Sequence, residues 1–395
     1  MLKYNIYIYL IKLILIIYII KKMKYNFFFL FLIILLSNIK LFLSQQQKDI
    51  DEIKSNFSKK DFPNVKNYPL KTLAYITPWN KEGYDYVEKY SNKFDIISPT
   101  WFELKPDEID GELNIILDGS NNIDSAYMKK LRNKNDKILI LPRLHTGFND
   151  LNVMATWFTK EADQFIKVLE RRIKYNKFDG YVFDCMQIWF NKDLLENFVH
   201  NFLPKIYQAL NKLNKIFILT IIPKNLMDIP NSFSIDKKTF KLISNYVHYF
   251  NIMTYDYHQY QRNNPNFYTA PISWIKETID FYVDENDESS KDIKNKILIG
   301  IPFHGYSFQK GSSNPSGVVT GSQFSQILSG IGGNEFEYNS YKEEGEYIIE
   351  TGNNVINYPM KEFIEKRLEI SKELNIGGIG IWDVGNGKES LIEPF

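Results

Sequence analysis

Eight short apolar runs rich in β-branched residues, spaced by amphipathic stretches, constrain the fold of this chain more than any other feature. They are Leu73–Thr77, Phe94–Ser98, Ile138–Arg143, Gly180–Asp184, Ile216–Ile222, Val247–Tyr255, Ile297–Phe303 and Gly378–Trp382. Runs this short, bounded by polar turns, read as buried strands, whereas the helical periodicity of Lys160–Tyr175 and Leu194–Leu213 reads as crossover helices. Strand and helix therefore alternate, and eight such units predict a closed (β/α)8 TIM barrel within the α/β class.

Such a barrel takes about 250 residues, whereas Leu73 to Phe395 is 323 residues. The surplus of about 70 falls between the seventh and eighth runs, so a small β-rich insertion is expected at about 304–375. Within it, alternation and turn residues at Gly317–Thr320, Glu335–Tyr341, Glu346–Glu350 and Asn354–Tyr358 predict antiparallel strands, followed by a helix over Lys361–Leu374. Active sites of these barrels form at the C-terminal ends of the strands, so the lobe would deepen any groove there.

The chain ahead of the barrel divides in two. Residues 1–44 hold two apolar runs, Tyr4–Ile20 and Phe27–Leu36, parted by Lys21, Lys22 and Lys24. With Met23 as the start, this is a signal peptide cleaved near Ser44; with Met1, it is an N-terminal hydrophobic targeting segment that could anchor the chain in a membrane. Residues 45–70 are a polar segment, and 71–395 are the barrel. Residues 1–44 contain six lysines and no acid, so the remainder carries 42 basic and 47 acidic residues, a net of −5. With no long Lys/Arg run after residue 44, nucleic acid is excluded as a partner. A secreted or secretory-pathway location, extracellular or lysosomal, is the expectation. Cys185 is the single cysteine, so no intrachain disulfide can form. Asn56-Phe57-Ser58 is a glycosylation sequon.

The fourth run reads Phe178-Asp179-Gly180-Tyr181-Val182-Phe183-Asp184-Cys185-Met186. Further on come Met253-Thr254-Tyr255-Asp256, Gly300-Ile301-Pro302-Phe303-His304-Gly305-Tyr306 and Gly377-Gly378-Ile379-Gly380-Ile381-Trp382. In order and spacing these resemble the strand motifs of glycoside hydrolase family 18, whose fourth-strand signature is D-G-x-D-x-D-x-E. Tyr75-Ile76-Thr77-Pro78-Trp79-Asn80, Ile97-Ser98-Pro99-Thr100-Trp101 and Leu141-Pro142-Arg143 resemble the chitinase domain-containing protein 1 (stabilin-interacting chitinase-like) branch, which is saccharide-binding.

By that resemblance Asp179 and Asp184 occupy the first and last aspartate positions, Val182 replaces the middle one, and Met186 stands where the family has its catalytic glutamate. Family 18 enzymes protonate the leaving oxygen with that glutamate while the substrate's acetamido group attacks. A thioether has no proton to give, so the resemblance implies a chitinase-like protein without the general acid and with no catalytic residue. A positioned acid is worth about 10²–10⁴-fold in rate. In a strand, Val182, Asp184 and Met186 share the inward face, where Asp184 holds either a sugar hydroxyl or a barrel hydrogen bond. The resemblance places Trp382 under the central sugar and Tyr255 and Asp256 on its acetamido group, or else at the barrel rim. Trp79 and Trp101 either extend this aromatic platform or pack in the core. Arg143 is expected either to pair with Asp184 or to reach a ligand.

No H-x-E or clustered Cys/His pattern accompanies His258 and His304, which are expected to be loop or rim residues, so no metal is implied. Gly330-Ile331-Gly332-Gly333 follows no strand, so no nucleotide cofactor is implied either. Cys185 is expected to be an inert core thiol. The resemblance implies a carbohydrate-binding protein for N-acetylglucosamine-containing oligosaccharides. Two alternatives stand beside it. One is a re-tooled glycoside hydrolase working through Asp184, Asp256 or an insertion acid such as Glu335 or Glu337; the other is a barrel with a vestigial groove that binds a protein receptor.

Overall fold

The computed structural model describes residues 25–58, 61–109, 112–224, 235–260, 268–312, 314–330, 337–341 and 344–395. The chain divides into two compact units, residues 1–56 with 331–335 and residues 57–330 with 336–395.

The first unit is described by the helix Tyr25–Phe57, which runs unbroken across Ser44, where the sequence placed a segment boundary. No helix among the described residues is long and apolar enough to cross a membrane. The apolar run Tyr4–Ile20 lies outside the described residues, as does the side chain of Asn56, whose backbone is helical.

The second unit is an eight-stranded parallel ring. Its strands are Lys71–Ile76, Ile96–Ile109 (interrupted at Thr100-Trp101), Leu139–Thr146 (interrupted at Leu141-Pro142), Gly180–Asp184, Ile216–Ile221, Tyr249–Ile252, Ile297–Pro302 and Gly378–Trp382. Each hydrogen-bonds to its two neighbours, and the eighth pairs with the first, Lys71 opposite Gly378. The second and third strands complete the ring in two pieces, through Ile96–Leu139 below the interruptions and Phe102–Leu144 above them. The TIM barrel expected from the eight apolar runs is thus present. Gly180 and Gly378 open the fourth and eighth strands at φ 149° and 152°, where a Cβ would strike the carbonyl of Ile216 or Lys71 at 1.8 and 2.0 Å. Only glycine lets the neighbouring backbone approach so closely.

Alternate residues face inward. Leu73, Tyr75, Ile96, Leu141, Val182, Ile218 and Leu298 fill the barrel, with Trp382 packed on the cluster. Phe183 points the other way into an aromatic layer with Trp157, Phe198 and Phe202. The helices that supply this layer carry π-type turns at Trp157–Glu161 and Phe198–Phe202.

Two additions shape the C-terminal mouth. One, absent from the sequence reading, is a hairpin: Phe102–Ile109 continues past the ring and pairs antiparallel with Glu112–Asp118. The other is the insertion between the seventh and eighth strands. Its antiparallel sheet contains Gly305–Gln309, Pro315–Val319, Glu337–Tyr341, Glu346–Thr351 and Asn354–Pro359, with the helix Gly321–Gly330.

Candidate functional site

The site is built from the C-terminal ends of the strands. Asp184 closes the fourth strand with its carboxylate buried. Arg143, across the adjacent third strand, donates to Asp184 Oδ2 through Nε at 2.7 Å and also through Nη2. Thr220 on the fifth strand donates its hydroxyl to Oδ1 at 2.8 Å. Burial by itself would raise the carboxyl pKa, but the guanidinium, with His145 and Thr220 assisting, holds it well below the usual carboxylate range. Asp184 is therefore a fixed anion in an ion pair, and that geometry opposes the proton-donor role considered from the sequence.

The same guanidinium lies over the indole of Trp382, its Cζ 5.0 Å from the ring centroid. Tyr75 meets the indole edge-on at 5.3 Å, and its hydroxyl accepts a hydrogen bond from Asn251 at 3.1 Å. Trp382 does stand at the mouth, then, but a cation already sits over its ring. Met186 begins a 3-10 turn one residue beyond the strand and is partly buried. The strand alternation that set Met186 on the inward face therefore does not extend to it.

Tyr255 and Asp256 follow the sixth strand. The Tyr255 ring is buried against Gly300, where a Cβ would lie 2.7 Å from the ring. Asp256 adopts the left-handed conformation, φ 59°, uncommon outside glycine. Its Oδ1 accepts from the Tyr306 hydroxyl at 2.5 Å and contacts His304 Nε2 at 3.2 Å. Burial works to raise its pKa, but His304 and the Tyr306 hydroxyl outweigh it and lower the pKa. His304 is not a rim residue as expected: it is buried beneath the insertion's first strand and ties Asp256 to it. His258 packs edge-on against Tyr306 at 4.5 Å.

Sequence reasoning overlooked Asp383, next to Trp382. This carboxyl is buried, accepts from the Asn386 side chain at 2.8 Å, and is pushed up to about 6 by burial, with His304 opposing. Its signal was its position directly after the strand-end tryptophan.

The remaining tryptophans divide sharply. Trp101 is 1% exposed and donates its indole N–H to the Tyr84 hydroxyl at 2.8 Å, so it belongs to the core and has no face to offer a sugar. Trp79 is 73% exposed at the rim of a cleft of about 560 Å³. Cys185 is buried and its thiol is pushed up to about 12, which makes it unreactive. Glu335 lies outside the described residues, as does the side chain of Glu337. Among the described residues no group of three or more His, Cys, Asp or Glu could hold a metal ion.

Comparison with known proteins bears on this geometry. The model of glycosyl hydrolases family 18 matches residues 71–387. The uncharacterized glycosylase YvbX of Bacillus subtilis is 24% identical over 202 residues, 48% of this chain and 54% of that protein. The chain thus spans about half the length of this curated relative. Among solved structures, a chitinase from Chromobacterium violaceum has a TM-score of 0.64 at 15% identity, with 82% of this chain and 96% of that one covered. A plant class V chitinase mutant from Cycas revoluta, in complex with (GlcNAc)3, has a TM-score of 0.66 at 15% identity, with 82% and 97% covered. The Bacillus megaterium spore cortex-lytic enzyme SleL has 0.62 at 16% identity, with 85% and 74% covered. At these identities the likeness concerns the fold.

Proposed function

The chain belongs to glycosyl hydrolases family 18, and we propose that within it this is a carbohydrate-binding protein that holds N-acetylglucosamine-containing oligosaccharides without cleaving them. The observation that carries this reading is the state of the fourth-strand carboxylate. Asp184 is buried, ion-paired and hydrogen-bonded on both oxygens, so it has no proton for a leaving group. Met186, which the motif resemblance sets at the catalytic glutamate position, has none either. Asp256 is held ionised by His304 and Tyr306. What remains is a mouth lined by aromatic rings and fixed polar groups, the chemistry of a saccharide-binding surface. The (GlcNAc)3 bound to the Cycas revoluta relative supports the ligand class. The Tyr75–Asn80 and Ile97–Trp101 motifs support a place beside the chitinase domain-containing branch. A secreted or lumenal location accords with the apolar N-terminal runs.

One observation favours a second reading. The Asp383 carboxyl, pushed up to about 6 beside Trp382, keeps its proton in weakly acidic solution. A re-tooled hydrolase would need such a protonated carboxyl, a condition that Asp184 and Asp256, with their pKa values lowered, do not meet. Titration calorimetry with (GlcNAc)3, run beside a chromatographic assay for its cleavage at pH 5 and 7, tests both readings. Binding with no product above the blank is expected. Cleavage that vanishes in Asp383→Asn would establish the hydrolase instead.

A further inference from the structure

The hairpin strand Glu112–Asp118 turns its outer edge to a slot of about 330 Å³ whose far wall is the helix Ala162–Asn176. Which backbone groups face that slot follows from the hairpin's other strand. There the Leu104 carbonyl accepts from Gly147 N–H at 3.0 Å, toward the third barrel strand. Backbone groups of successive residues alternate between the two edges of a strand, so Lys105 and Asp107 bond the residues opposite them, Ile116 and Asn114. The N–H and C=O groups of Leu113 and Ile115 therefore point outward into the slot, and nothing among the described residues takes them. At Leu117 the outward carbonyl already accepts from Ser120 Oγ at 3.4 Å.

The slot has the shape of a berth for an extended chain. One wall is the consecutive run Leu113–Leu117, as a strand edge requires, since side chains of one face alone would line it at every second position. The other wall is a helical stripe, Glu161, Gln164, Phe165, Val168 and Arg172. Ile115, Leu117 and Phe165 are buried and Val168 half-buried, so the floor is apolar. Gln164 Nε2 donates to Asn114 Oδ1, and Arg172 Nη2 donates to Ser120 Oγ at 3.0 Å, so helix and strand run in the same direction. The Gln164–Asn114 bond is exposed, and an entering chain can replace it. A free strand edge beside a helix is the arrangement on which peptide-recognition domains add a strand.

The two ends of the slot differ in charge. Where the strand begins, Glu112 is exposed, and Glu161 lies about one helical turn before Gln164; neither carboxylate meets a cation among the described residues. At the far end Arg172 reaches no carboxylate among the described residues, while Asp118 is held by Lys105 at 2.7 Å. We propose that this slot docks an extended segment of a protein partner as an added strand on the Glu112–Asp118 edge. The segment has apolar side chains at alternate positions, Lys or Arg beside Glu112 and Glu161, and an acid beside Arg172. It uses none of the residues assigned to saccharide binding, so it stands apart from that reading.

A phage-displayed library of random heptapeptides, selected on the full chain, tests this, with the affinity of the enriched peptide then measured by fluorescence anisotropy. Enriched sequences should alternate apolar residues and carry Lys or Arg toward one end. Leu113→Pro removes an outward N–H from a strand edge, where proline is tolerated, and should weaken the peptide about tenfold. Glu112→Lys leaves the backbone intact and should weaken it about threefold at low salt, a loss that disappears at about 1 M salt. No enriched family, an acidic one, or affinity unchanged in either variant overturns the proposal. So does a parent that sediments as a dimer while Leu113→Pro sediments as a monomer, which would assign the edge to a second copy.

Discussion

Asp184 and Asp383 end the fourth strand and follow the eighth, both buried, and their protons behave in opposite ways. Asp184 titrates below its ordinary value of 3.8 because Arg143 more than offsets burial. Its contribution to stability is present above about pH 4 and is lost as the pH falls through the folded value. Asp383, raised from 3.8 to about 6, contributes stability that is present below pH 3.8 and lost as the pH rises through about 6. Asp383→Asn should therefore leave stability unchanged near pH 4 and raise it by about 1–3 kcal/mol at pH 8. Urea unfolding at the two pH values measures this, and an equal effect at both would count against it. The Arg143–Asp184 pair was legible because a guanidinium at a barrel-strand end needs a partner. The burial of Trp101 was not legible. Trp79 and Trp101 both follow strands, and nothing in the order of residues says that Tyr84 claims one indole N–H.

At the level of elements, the strand and helix periods located the eight barrel strands and four strands of the insertion, but the insertion's strand Gly305–Gln309, its helix Gly321–Gly330 and the hairpin Phe102–Asp118 went unread. Pro106 and the charges at Lys105, Asp107 and Glu108 argue against a strand. Pro106 is tolerated because pairing with the third strand ends at Leu104. Asp110-Gly111 between alternating apolar residues was the available signal. The insertion is joined to the loop after the sixth strand by a buried ionic cluster that no sequence period could announce. Arg367, on the helix Lys361–Glu373, pairs with Glu344 at 2.6 Å and lies over the Phe363 ring. Glu344 accepts from the Ile272 backbone at 3.0 Å, and the buried Glu346 accepts from Thr269 N–H at 3.1 Å. Arg367→Ala leaves Glu344 without its buried cation and should cost about 3–5 kcal/mol of unfolding free energy. Chemical denaturation reads this directly, and a loss below about 1 kcal/mol would show that the cluster contributes little.

On the scale of the whole barrel unit, closure depends on both ends of its sequence. The Phe395 carbonyl accepts from Asn67 N–H at 2.7 Å, and the buried Phe395 ring meets Tyr68 and Phe303. Phe395→Ala should cost about 3–5 kcal/mol and lower the denaturation midpoint of the whole ring. Separate transitions by fluorescence and circular dichroism would instead mark this corner as locally unfolding. The ring itself was legible in eight apolar runs because its period is short and its strands are buried on both faces. The two interrupted strands that complete it were not, since register is a relation between distant segments. Those eight strands pair on both sides. Among the described residues of that sheet, the outward edge of Glu112–Asp118 is left without a neighbouring strand. Ile116, 40% exposed, lies midway along it, with acids at both ends. In concentrated solution this seven-residue border is the place where strand-by-strand self-association of the barrel sheet would begin, and the acids at its ends work against it.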